Sequence, residues 1–202
     1  MPMEKIFHIR GMINGGVYME TNSPVRNKLV SQIEDEYGKV VYTYTCHLKQ
    51  AKVSGFIASL LSWADIILTA ITAGGLLGTL FTDQKVFTVV SAVCAALALA
   101  LNLYQKEAKL SEKSLEQKMF AQNLWLSRER YISLLTDEEA MTDKELQEKR
   151  DDLLKIVNDL YSKEPMTGFI AYRMTQKALR KNQVQVFSRE ELNNMLPESL
   201  RR

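Results

Sequence analysis

A carboxylate and a carboxamide stand inside largely apolar runs of this sequence, Asp65 within residues 53–81 and Asn102 within residues 86–104. A carboxylate at mid-membrane costs about 3 kcal/mol on insertion scales and less near an interface, so it faces water or a polar partner. Repeated around the axis of an assembly, Asp65 and Asn102 would line a pore with an acidic, amide-bearing ring that favours cations. Alternatively, Asp65 reaches headgroup water or accepts a hydrogen bond from Asn102. The sequence leaves both readings open.

Other chemistry is thinly supplied. The chain has two histidines, His8 and His47, and two cysteines, Cys46 and Cys94, each far from its fellow in sequence. Neither a disulfide framework nor a zinc site is expected from them. There is no glycine-rich phosphate loop and no recognisable Ser, His and Asp signature. No catalytic residue, metal ligand or cofactor is therefore expected, and the chain reads as a non-enzyme. A net charge of +2 gives no general attraction to nucleic acid, and none is expected as a partner.

The elements that must position Asp65 and Asn102 are the two runs themselves. Each is long enough for a helix spanning a hydrocarbon core roughly 30 Å thick. The connector Thr82, Asp83, Gln84 and Lys85 permits only an antiparallel return. Lys39, Lys49 and Lys52 precede the first run, and Lys106, Lys109, Lys113 and Lys118 follow the second. The positive-inside rule then places both termini in the cytoplasm, in a multi-pass protein of the inner membrane. No cleavable signal pattern stands at the start of the sequence.

The first run makes about 43 Å of helix and the second about 28 Å, so the first must protrude from a membrane that fits the second. In an antiparallel hairpin, residues lie level when their numbers total about 167 at equal rise. Trp63 then shares a level with Tyr104, and Asp65 with Asn102. Trp and Tyr favour the headgroup boundary, which places the inner interface near Trp63.

Ala70, Gly74 and Gly78 on the first run, and Ala92, Ala96 and Ala100 on the second, form small-residue stripes suited to close helix packing in lipid. They serve either the two spans of one hairpin or contact between copies. Two spans cannot enclose a pore, so conduction would require a homo-oligomer.

The rest of the 202 residues reads as helices. Residues 24–52 form a helix with Leu29, Ile33, Tyr37, Val40, Tyr44 and Leu48 on one face, starting at Pro24 and running without a breaker into the hairpin of residues 53–104. Within 105–202, Leu115, Met119, Phe120, Leu124, Trp125, Tyr131, Leu134 and Leu135 make a broad apolar stripe. Thr136 with Glu139, and Thr142 with Glu145, are capping-box pairs. Leu146, Leu153, Val157 and Leu160 mark the next helix, closed near Pro165, and a further helix covers 167–180. An extended piece, 183–187, and a short helix capped by Ser188 and Glu191 follow. In the amino-terminal segment, 1–23, residues 5–9 suit a short strand and Gly11, Gly15 and Gly16 suit loop. The expected fold class is all-α, a two-helix transmembrane hairpin over a cytoplasmic helical bundle. Arg173, Lys177, Arg180 and Lys181 are the densest cationic cluster, either a phosphate contact for a signal or a solvated flank.

This order of helix, two-span hairpin and long polar helix, with a carboxy-terminal piece carrying Phe187, Ser188, Arg189, Glu190 and Glu191 and then Leu196, Pro197, Glu198, Ser199 and Leu200, resembles the SLATT family. These are bacterial two-transmembrane effector domains associated with nucleotide-second-messenger synthases and SLOG sensors. The resemblance implies an anti-phage or stress effector that opens pores and arrests the infected cell in abortive infection. It also implies membrane lipid as surroundings, and as trigger a cyclic nucleotide or other nucleotide-derived signal, or a sensor protein encoded nearby. It supplies no catalytic residues. The alternative is a membrane-anchored helical adaptor that recruits a protein partner without conducting ions.

Overall fold

A computed structural model of the chain describes residues 24–79 and 85–180. Among these, every regular element is a helix: α1 (Pro24–Thr79), α2 (Lys85–Ala108), α3 (Leu110–Asp137), a 3-10 turn (Glu138–Ala140), α4 (Asp143–Tyr161) and α5 (Phe169–Arg180). The expected features at 1–23, 82–84, 183–187 and 188–191, together with Lys181, lie outside the described residues. The all-α reading holds, with two long apolar helices.

The longest element runs unbroken from bundle to membrane. α1 has 56 residues, about 84 Å at the standard rise. No proline follows Pro24 within it, and Pro24 occupies the first turn, where its missing N–H leaves no intrahelical bond unmade. Gly55 admits the close approach of α3, since a Cβ there would lie 3.1 Å from Ser114 Oγ.

The return path is different. The chain continues polar and helical after the second span, as expected, but Lys109 adopts φ 48° and ψ 39°, a left-handed conformation that separates α2 from α3. That conformation costs an L-residue about 1–2 kcal/mol. The chain thus joins bundle to membrane by one continuous helix and one jointed pair.

α3 and α4 pack along the first half of α1 around Leu29, Ile33, Val40, Phe120, Leu124, Tyr131, Leu134, Leu146, Leu153 and Val157. Tyr37, Tyr44 and Leu160 pack at its edge, so the faces expected of the first and fourth helices are the buried ones. The broad stripe expected on the third divides in two. Phe120, Leu124, Tyr131 and Leu134 enter the core, whereas Leu115, Met119 and Trp125 are exposed, because they fall on the far side of a helix with one packed face.

Polar contacts fix the register. Arg26 on α1 donates to Asp143 Oδ1 at 2.6 Å, to the Met141 carbonyl at 3.2 Å and to the Glu138 carbonyl, tying the start of α1 to the α3–α4 turn. Arg150 donates to Gln32 Oε1 at 2.7 Å, and Ser114 to the Ala51 carbonyl at 2.7 Å. Thr142 and Glu145 form the expected capping box at the start of α4. Hydrogen bonds from Thr142 hold the Glu145 carboxyl below the usual carboxylate range. The other expected box is absent: Thr136 is still inside α3, and its hydroxyl donates to the Ile132 carbonyl one turn back.

Candidate functional site

α1 and α2 meet along an antiparallel seam whose levels follow from the short turn. Near the open end of the hairpin, Ser62 Oγ lies 3.1 Å from Gln105 Oε1. One turn further in, Asn102 Nδ2 donates to Asp65 Oδ1 at 2.7 Å and to the Ala98 carbonyl at 3.0 Å. Toward the turn, Gly75 faces Ser91 and Gly78 faces the Phe87 ring, which a Cβ on Gly78 would meet at 3.7 Å. Asp65 and Asn102 are brought together within a single chain. The carboxylate thereby has a neutral donor within an otherwise apolar stretch of the seam.

Ser62 and Gln105 extend this polar pair by a turn and are not singled out from residue type alone. The level arithmetic that pairs Asp65 with Asn102 also pairs them. Trp63 and Tyr104 share a level and both point outward, as an interfacial aromatic belt requires.

The small-residue stripes sit mostly off the seam. Ala70, Gly74, Ala92, Ala96 and Ala100 are exposed, and a Cβ on Gly74 would meet nothing within 4 Å. Only Gly78 of the six contacts the other span through its glycine face. The close approach is instead made by Gly75, where a Cβ would lie 2.1 Å from Ser91 Oγ. Consecutive helix positions are turned by about 100°, so the seam falls one residue beyond the Gly74 stripe.

The outward faces of both spans are apolar: Ile66, Ile67, Ile71, Leu76 and Leu77 on α1, and Val86, Val89, Val90, Val93, Leu97, Leu99 and Leu103 on α2. Only 6% and 11% of the most apolar stretches of the two helices are buried inside the chain. A core helix of a water-soluble protein would be mostly covered. Among the described residues nothing covers these faces, the exposure expected of helices surrounded by lipid.

Of the cationic cluster, Arg173 and Lys177 are exposed one turn apart on α5, and Arg173 stacks over the Phe169 ring at 5.1 Å from its centroid. Arg180 is the last residue of α5. Cys46 and Cys94 are free thiols, and no group of His, Cys, Asp and Glu capable of holding a metal occurs among the described residues.

A constellation that residue types do not reveal lies at the membrane-proximal end of the bundle. His47 is completely buried on α1, its Nδ1 against Gln117 Oε1 of α3 at 2.5 Å and its Nε2 3.0 Å from Glu164 Oε1 of the α4–α5 connector. The spacing of Val40, Tyr44, His47 and Ala51 on α1 is the signal that could have placed it inside.

Fold and seam together define a hairpin of two helices, each long and apolar enough to cross a membrane, standing on a helical bundle. The family model for the SMODS and SLOG-associating 2TM effector domain, family 4, matches residues 29–191, and the chain belongs to that family. It is a membrane effector domain of defence-associated systems. No curated protein and no solved structure matches the chain.

Proposed function

We propose that this protein is a signal-gated pore-forming effector, a homo-oligomer in which several hairpins surround an ion path entered past Asp65 and Asn102. The observation that carries the reading is a carboxylate held inside an apolar hairpin of an effector-domain protein, about half a turn beyond the Trp63–Tyr104 level. Asp65 is only half-buried in the single chain, so its second oxygen is left for water or cations once copies assemble. The bundle lies on the same continuous helix as the first span, so its rearrangement would move that span directly.

In this reading both termini are cytoplasmic in the inner membrane, and the trigger is a nucleotide-derived signal or a sensor protein encoded nearby. Opening then arrests an infected cell. No step of this scheme needs catalysis. Arg173, Lys177 and Arg180 are the cations offered to a phosphate-bearing signal.

A second reading is favoured by Met166, Phe169 and Ile170, which are exposed beside the bundle. Here the hairpin is a tether, and this apolar edge recruits a protein partner. Ion leakage from liposomes holding the purified protein, with and without the complete cognate system, separates the two. Signal-dependent leakage supports the pore, and membranes that stay tight with every component present support the tether.

A further inference from the structure

The buried histidine of α1 faces acceptors on both ring nitrogens. Gln117 donates its amide N–H to the Met166 carbonyl at 2.8 Å, which fixes the orientation of that amide and presents Oε1 to His47 Nδ1. An amide oxygen only accepts, so Nδ1 carries a proton. On the other side Nε2 meets the Glu164 carboxyl. A neutral imidazole protonated at Nδ1 would set a lone pair against a carboxylate. The contact needs one further proton, held by Nε2 as an ion pair or by Glu164 as an acid, and the two groups share it.

The surroundings isolate this proton. On α3, Phe120 stacks at 4.4 Å from the imidazole and Gln117 is neutral, while Glu116 and Lys118 are exposed. On α1, Cys46 is buried next in sequence and Lys49 is half-buried. On the connector, Lys163 is exposed. On α4, Tyr161 donates to Thr43 at 3.3 Å, and the nearby Glu164 charge adds to the burial that pushes its phenol up. The buried face of α5 is Ala171, Thr175 and Ala178, which do not titrate in this range.

Three contacts hold the connector to α1 and α3 in this one place: Glu164 to His47, the Met166 carbonyl to Gln117, and the Gly168 N–H to Gln50 Oε1 at 2.8 Å. We propose that His47, Gln117 and Glu164 form a proton-dependent latch, which clamps the α4–α5 connector to the helix of the first span when protonated and releases it when the proton leaves. Glu164 is 39% exposed and its carboxylate has open water to swing into. The sign follows: anchoring is complete while the extra proton is held, and it weakens as rising pH removes that proton. The latch concerns coupling inside one chain and stands whether or not the hairpins conduct.

The test is amide hydrogen exchange on the full-length protein in lipid nanodiscs across about pH 5 to 8, corrected for intrinsic rates. Protection of the backbone from Glu164 to Ala171 should fall with rising pH by up to about tenfold per unit, the limit for release of one proton. In Glu164→Gln the carboxamide offers an N–H to neutral imidazole and an oxygen to imidazolium, so the profile should become flat. The chain holds only His8 and His47, so nitrogen NMR of labelled histidine reads the switch directly. The His47 ring should lose its second N–H over the same range as the connector loses protection. A flat wild-type exchange profile, an unchanged slope in Glu164→Gln, or a connector that loosens while the His47 ring does not titrate would each overturn the latch.

Discussion

Asn102 Nδ2 stands 2.7 Å from Asp65 Oδ1, across the seam of the hairpin and in the same chain. The bond supplies the carboxylate with a polar partner inside an apolar hairpin. Its contribution to holding the spans together is small, since interhelical hydrogen bonds in membranes average about 0.6 kcal/mol. Removing the charge should therefore alter what passes the site far more than it alters the hairpin.

Asp65→Asn keeps the size and an acceptor oxygen, and Asp65→Lys inverts the charge. The first should abolish, and the second reverse, any preference for cations over anions, with membrane insertion intact in both. Reversal potentials in planar bilayers across a salt gradient give the answer. Identical selectivity in all three proteins would remove Asp65 from the ion path.

The level of this pair was legible before any coordinates, because an antiparallel hairpin closed by a tight connector leaves no freedom of register. The length of α1 was legible for a similar reason: nothing between Leu48 and Ser54 could stop it. The rotation of the spans was not. Gly74 and Gly75 are adjacent and chemically identical, and which one faces α2 depends on the packing of Ser91 and Phe87 rather than on a pattern in either run. His47 escaped notice because its partners Gln117 and Glu164 lie 70 and 117 residues away. The kink at Lys109 has no signature either, since lysine is not a residue that favours left-handed backbone.

The two glycines make a paired experiment. Gly75→Leu drives a side chain into Ser91 and Phe87, an overpacking that typically costs about 1–3 kcal/mol and here should separate the spans. Gly74→Leu meets open space and should leave the hairpin unchanged. Crosslinking between cysteines placed on the two spans reads the first effect. Crosslinking between copies reads whether Gly74→Leu blocks assembly, as it must if the exposed stripe joins neighbouring hairpins.

Tyr131 is fully buried on α3, with no hydrogen-bond partner for its hydroxyl among the described residues, and burial pushes its phenol from the usual 10.0 up to about 12. The folded chain therefore keeps this proton where the unfolded chain gives it up. Stability from this group is intact below pH 10 and falls as pH rises from 10 toward about 12. Tyr131→Phe removes the unpaired hydroxyl and its titration together. The variant should melt at or above the wild-type temperature at neutral pH and lose less stability under alkaline conditions. A lower melting temperature at neutral pH would show that the hydroxyl has a partner, such as an ordered water.

Lys109 is the one described non-glycine residue with positive φ, and it sits where the second span gives way to α3. Its side chain is exposed and reaches Glu112 at 3.6 Å, an ion pair in open water that adds little. Glycine adopts the same backbone without the Cβ clash, so Lys109→Gly should relieve most of a strain of about 1–2 kcal/mol, offset in part by the freedom glycine gains in the unfolded chain. The expected result is a net gain below about 1 kcal/mol, read as a higher thermal midpoint in detergent. Lys109→Pro cannot reach positive φ and should destabilise the joint. If glycine lowers the midpoint instead, the kink depends on the Lys109 side chain rather than merely tolerating it. The jointed return from membrane to bundle would then be held by that ion pair.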